Sequence, residues 1–235
     1  MRHGADTILS ALGEEILGRL REVTAERLRR AADPALAAQV TAVKRIQHAR
    51  FERTYADLLA SARYARASRF FLEDLYGPGD FTARDEQFAR IVPATVRLFP
   101  HELVTTVAAV ARLHSISEQL DTLMAQACGT QPIDAESYVR AWCAVGRHDD
   151  RRQQIDLMFE VGQALDRYTR KPLLRQSLRL MAGPARAAGL SALHGFLVNG
   201  FETFREMRGA QEFLSTIRSR ETHLATRMFE GLPPA

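Results

Sequence analysis

Apolar residues recur every three or four positions along nearly the whole chain, and no segment alternates with period two, so the pattern predicts an all-α protein. A first helix is expected from Asp6 to Ala31. It ends at Asp33-Pro34, where aspartate suits an N-cap and proline the first position of the next helix. That second helix is expected to be long, running from Pro34 toward Tyr76, with Phe51, Tyr55, Leu58, Ala62, Ala65 and Leu72 on one stripe. Thr82 opens another with Asp85 as a capping-box-like partner, and Pro93 inside its pattern predicts a bend or an end. Beyond Pro100, His101 to Ala127 carries Leu103, Val107, Val110, Leu113, Leu120 and Met124 on one face. Asp134 caps a short helix that holds Tyr138 and Trp142 and stops at Gly146.

The segment from Asp149 to Tyr168 is cleanly two-sided. Ile155, Met158, Val161 and Leu165 face one way, and Asp156, Glu160, Gln163 and Arg167 the other. Lys171-Pro172 starts a helix that Gly183-Pro184 interrupts. From 190 to 207 the apolar residues cover most of the circumference, which predicts a central helix, and Gly195 and Gly200 there let neighbours come close. A last helix spans Ala210 to Glu230. With no fixed-period repeat and no Ser/Gly-rich linker, residues 1–235 are expected to form a single multi-helix bundle.

Composition narrows the function classes. The chain has 235 residues, 46% hydrophobic and 26% charged, which suits a globular core. Charged residues interrupt every apolar stretch, so no membrane span is expected. Glu14 and Glu15 stand where a secretory signal needs its apolar centre, and the protein is expected in the cytoplasm. The only cysteines, Cys128 and Cys143, are expected as thiols there. The net charge of +4 comes almost wholly from arginines interleaved with acids, a weak footprint for nucleic acid.

Candidate chemistry is sparse. There is no nucleophile elbow and no phosphate-binding glycine loop, because Gly77-Pro78-Gly79 follows a helix rather than a strand. His114, Glu118 and Asp121 fall at i, i+4 and i+7, a spacing that places three metal ligands on one face yet specifies no fourth. His48 and Glu52 read as a solvated pair. His194, among apolar residues, reads either as a haem ligand or as a core histidine bonded to a carbonyl; the absence of an attachment motif favours the carbonyl. Arg69 and Glu221 interrupt apolar stripes, so each requires a partner: Arg69 from Asp74, Asp80 or Asp85, and Glu221 from a nearby arginine.

The stretch FFLEDLYGPGDFTARD, residues 70–85, is rich in aromatics, acids and arginines around that glycine-proline turn. Gly77 and Pro78 suit a helix end, and Phe70, Phe71, Leu75, Tyr76, Phe81 and Phe88 are expected to form an aromatic cluster pinning two helices together. Together with GFETFREMRGAQEFLSTIRSRE near the C-terminus, it resembles a family of uncharacterised proteobacterial helical proteins with an FFLxDLYGPxDFxxRD signature. The resemblance implies an all-helical fold and no activity or cofactor. The expected function is therefore non-catalytic binding of a protein partner or small ligand, without a cofactor, at Arg69, Asp74, Tyr76, Asp80, Arg84 and Asp85; the alternative is a metal- or haem-dependent helical-bundle enzyme.

Overall fold

The computed structural model describes residues 2–75 and 81–233, and among them only helices and their connections occur. The elements are α1 (Arg2–Ala31), α2 (Pro34–Thr54), α3 (Ala56–Ala60), α4 (Ala65–Arg69), a π-helical turn (Phe70–Leu75) and α5 (Thr82–Leu98). They continue with α6 (His101–Cys128), α7 (Ala135–Val145), α8 (His148–Thr169), α9 (Pro172–Leu180), α10 (Ala182–Ala187), α11 (Ser191–Glu206) and α12 (Gln211–Phe229). No helix among the described residues is long and apolar enough to cross a membrane.

Several ends follow local rules. The Asp33 carboxylate accepts from the backbone N–H of Ala35 and Leu36, both at 3.1 Å, with Pro34 in the first turn. Asp134 and Ser137 form a reciprocal capping box at the start of α7, and Gly146 ends it in the left-handed region at φ 59°.

Other elements depart from the sequence pattern. The helix expected from Pro34 to Tyr76 is broken into α2, α3, α4 and the π turn. Ser61 is extended, and its hydroxyl accepts from the N–H of Arg63 and Tyr64, so a serine turn outcompetes helix continuation. At α5, Phe81 rather than Thr82 holds the cap position and makes no side-chain cap bond, while the helix runs through Pro93 to Leu98. The break expected at Gly183-Pro184 falls instead at Met181, and Pro184 sits in the first turn of α10, where its missing N–H is harmless.

The core consists of three apolar clusters. One joins Phe51, Phe70, Phe71, Phe204, Phe213 and Ile217. A second joins Val43, Met124, Tyr138, Trp142, Leu224 and Met228. The third joins Ile16, Leu20, Val92, Val104, Ala108 and Ala111. The helix at 190–207 appears as α11, which buries Leu193, Gly200, Phe201 and Phe204 while Leu197 stays 43% exposed. It shares the interior with α6, which packs against α1, α2, α7 and α8.

The aromatic cluster is partnered differently from the sequence expectation. Phe70 stacks on Phe196 at 5.5 Å and Phe71 meets Phe213 at 5.5 Å, so both turn toward α11 and α12. Phe88 packs into the third cluster. Gly200 is what lets Phe70 in, because a Cβ there would stand 3.0 Å from the Phe70 ring. Tyr76 and Asp80 lie outside the described residues.

Candidate functional site

α6 and α8 run antiparallel. Gln154 near the start of α8 donates to Ser117 at 2.8 Å, and Tyr168 near its end meets the Thr106 hydroxyl at 2.9 Å. Their inward stripes do not close on each other. Between them, with α1, α2, the π turn, α5, α7, α11 and α12 completing the wall, lies a cavity of about 310 Å³ lined mainly by apolar side chains. Its lining takes residues from all three core clusters, among them Leu20, Phe70, Phe71, Trp142, Ile217 and Met228. On α6 the lining extends from Thr106 to Asp121, which at the helical rise is a length of about 20 Å. The cavity is therefore elongated. Its wall includes Leu197 on the surface of α11.

Apolar side chains such as Val107, Val110, Val161, Leu165 and Phe201 line one part of this space. Charged and polar groups concentrate toward the Asp121–Arg151 end and at one point midway, around His114.

At the midpoint the Asp85 carboxylate accepts from His114 Nε2 at 2.7 Å and from Arg27 at 2.8 Å, with Arg84 at 3.2 Å. Burial alone would raise the Asp85 carboxyl, but the His114 hydrogen bond and the nearby charges hold it at about 2. The Arg84 guanidinium lies 4.2 Å from the Phe81 ring centre and 4.7 Å from that of Phe196, sandwiched between two aromatic faces.

One turn further along α6, Glu118 is 4% exposed and pairs with Arg30, with Lys44 at 3.2 Å and with Arg27 at 3.7 Å. Burial opposes its ionisation, and Lys44 and Arg30 outweigh it, holding the carboxyl at about 2. Asp121 accepts from Gln47 at 3.0 Å and stands 3.6 Å from Lys44; burial pushes its carboxyl up. The i, i+4, i+7 run thus does share a face and does line the cavity, but its oxygens are taken by arginine and lysine. No group of three or more His, Cys, Asp or Glu side chains among the described residues is placed to hold a metal ion. His48 and Glu52 stand 3.7 Å apart.

At the far end, Glu221 pairs with Arg50 and accepts from the Tyr55 hydroxyl at 2.7 Å, which supplies the arginine expected from its place on an apolar stripe. Burial, together with the Glu221 charge, pushes the Tyr55 hydroxyl up, so it remains a donor. Arg151 is different. It is only 6% exposed, its guanidinium lies 3.8 Å from the centre of the Trp142 ring, and its side chain reaches Gln154 at 3.2 Å. Its Nη2 has no hydrogen-bond partner, and neither has the Trp142 indole Nε1. Burial pushes the Arg151 guanidinium below its ordinary value. A buried donor left unmade costs about 1–3 kcal/mol, and more when it is charged.

Of the residues expected from the sequence, Arg84 and Asp85 line the cavity. Asp74 braces it from outside, accepting from Asn199 at 3.1 Å and offering its backbone carbonyl to Arg84 at 2.9 Å. Arg69 is exposed rather than buried and bonds to neither Asp74 nor Asp85. The helical phase that put it on a stripe is lost at the breaks before it. Arg69→Met is accordingly expected to change stability by no more than about 0.5 kcal/mol in urea denaturation; a loss several times larger would show that Arg69 has a buried partner. His194 is half-buried, and its Nε2–H donates to the Leu178 carbonyl at 2.8 Å, as expected of a structural histidine.

Trp142 and Arg151 were missed as site residues, although one signal existed. Arg151 lies four residues before Ile155, on the same stripe as Ile155, Met158, Val161 and Leu165, and so continues an apolar face with a charge.

Fold and site together define a helical bundle that encloses an elongated, mostly apolar cavity with a charged end. The chain belongs to a family described as a domain of unknown function (DUF8198), whose model matches residues 26–235. No curated protein and no solved structure matches it.

Proposed function

We propose that this protein is a non-catalytic carrier or sensor that binds a small, elongated, largely apolar molecule inside the bundle, and that it works in the cytoplasm, where Cys128 and Cys143 stay as thiols. The observation that carries this reading is the cavity itself. Native interiors are close-packed, and a void of about 310 Å³ left among Val, Leu, Ile and Phe side chains is far larger than packing tolerates without an occupant. An enzyme is less well supported, since the carboxylates along the lining are all held by cations in ion pairs. Surface arginines are likewise spent on acids, as in Arg66 with Glu206, Arg218 with Asp156 and Arg220 with Asp57, which counts against a basic face for nucleic acid.

N-phenyl-1-naphthylamine, a neutral apolar fluorophore, tests the proposal. Its emission is expected to rise saturably with one site per chain, and Val110→Phe, which adds bulk to the lining, is expected to weaken it at least about tenfold while circular dichroism stays native. Absence of saturable binding to the wild type, or binding indifferent to Val110→Phe, would count decisively against the cavity as the site.

A further inference from the structure

The lining of the cavity is charged but not evenly satisfied. Every carboxylate in it has a cation: Asp85 has Arg27 and Arg84, Glu118 has Arg30 and Lys44, Asp121 has Lys44, and Glu221 has Arg50. Of the lysine and arginine side chains in the lining, Lys44, Arg50 and Arg84 are thereby paired. Arg151 has no carboxylate within ion-pair distance among the described residues, and Asp121 and Glu221, whose charges it feels, are already held by Lys44, Gln47, Arg50 and Tyr55. Beside it the Trp142 indole N–H is a second buried donor with no acceptor. Two stacked side chains that line the same space are therefore both short of an acceptor oxygen, and one of them is a cation with no carboxylate partner among the described residues.

We infer that the ligand is an amphiphilic monocarboxylate, its carboxylate seated on Arg151 and Trp142 and its hydrocarbon tail lying between α6 and α8 toward Val107 and Leu165. This rests on the cavity being a ligand site and adds the chemistry of the head group. A carboxylate brings two acceptor oxygens, one for the guanidinium and one for the indole, and a single negative charge that balances Arg151. An alcohol brings no charge. An ammonium head would face an arginine. A dianionic phosphate would carry into the cavity a second charge that only side chains already paired with carboxylates could meet. The lining along α6, about 20 Å from Asp121 at the head-group end to Thr106, takes a fatty chain in extended form.

The experiment uses the full chain and four probes with the same tail: dodecanoate, dodecan-1-ol, dodecylammonium and dodecyl phosphate, each competing against N-phenyl-1-naphthylamine. Trp142 is the only tryptophan in the chain, so its emission reports directly on the proposed head-group seat. Dodecanoate is expected to bind roughly ten- to a hundredfold more tightly than dodecan-1-ol, the worth of charge-assisted hydrogen bonds, and to shift Trp142 emission where the alcohol does not. Arg151→Met is expected to abolish that preference, dodecanoate then binding no more tightly than dodecan-1-ol, and Arg151→Lys to restore part of it. The wild-type series stands on its own should a variant misfold. Equal binding of dodecanoate and dodecan-1-ol, or tighter binding of dodecyl phosphate or dodecylammonium, overturns the carboxylate assignment while the fluorophore result upholds the cavity. Failure of all five molecules to bind overturns both.

Discussion

Glu118→Leu is expected to destabilise the protein by about 3–5 kcal/mol, because it removes the carboxylate on which buried cations converge. Arg30 donates to Glu118 and, at 3.0 and 2.7 Å, to the Thr122 hydroxyl, and Lys44 reaches Glu118 from α2 at 3.2 Å. The carboxylate therefore ties α1 and α2 to α6. Without it Arg30, 8% exposed, keeps its charge but not its counter-ion. For a chain of this length the loss corresponds to a drop in Tm of roughly 10 °C. Arg30→Met added to Glu118→Leu is expected to recover a large part, since two apolar groups replace an ion pair whose burial was itself expensive. Urea denaturation of the wild type, both single variants and the double gives the coupling, expected at about 1–3 kcal/mol. A coupling near zero would mean that Lys44 and Arg27, not Arg30, carry the interaction.

Such a network was half visible in the amino-acid sequence. His114, Glu118 and Asp121 at helical spacing announced a polar face beside an apolar one, but the spacing is equally that of metal ligands, and only tertiary packing brings Arg27, Arg30 and Lys44 from other helices onto those oxygens. The rule that a charge on an apolar stripe needs a partner worked for Glu221, whose helix α12 is unbroken from Gln211 to Phe229, so its phase is reliable. For Arg69 the premise of burial failed, since the residue is exposed. Ser61 breaks the chain upstream and the backbone passes into a π turn at Phe70, so the 100° step per residue that placed Arg69 inside no longer holds. Caps such as Asp33 and Asp134 were legible because they depend on two or three adjacent residues.

The cavity was not legible at all, for a different reason. Val107, Val110, Val161 and Leu165 carry the same period whether their faces meet or stand apart, and periodicity reports which side of a helix is apolar, not what lies opposite. Gly162 shows how finely the distances are set on that wall. A Cβ there would come within 2.4 Å of Leu214, so α12 packs hard against α8 at that point even though the cavity is open beside it.

Acid is expected to unfold the protein chiefly through two carboxyls. Asp85 and Glu118 have ordinary values of 3.8 and 4.5 and are held at about 2 in the folded chain. Between those limits the unfolded chain binds the protons and the folded one does not, so falling pH favours unfolding. Their contribution is fully present above pH 4.5, declines as pH falls through the window, and is gone once the folded groups themselves protonate near pH 2. At 1.36 kcal/mol per pKa unit the two together are worth roughly 6 kcal/mol, less whatever they share through Arg27 and His114. Asp121 acts with the opposite sign: burial raises its carboxyl, so its ionised form costs stability at neutral pH and that cost is relieved in acid. Urea midpoints are expected to fall steeply below pH 4.5 in the wild type, and more steeply in Asp121→Asn, which is relieved of that cost at neutral pH. The double variant Asp85→Asn, Glu118→Gln is expected to start lower at pH 7 and to lose much less between pH 5 and pH 2.5. If the wild type proved as stable at pH 2.5 as at pH 7, the ion pairs around Asp85 and Glu118 would not be what holds α1, α2 and α5 to α6.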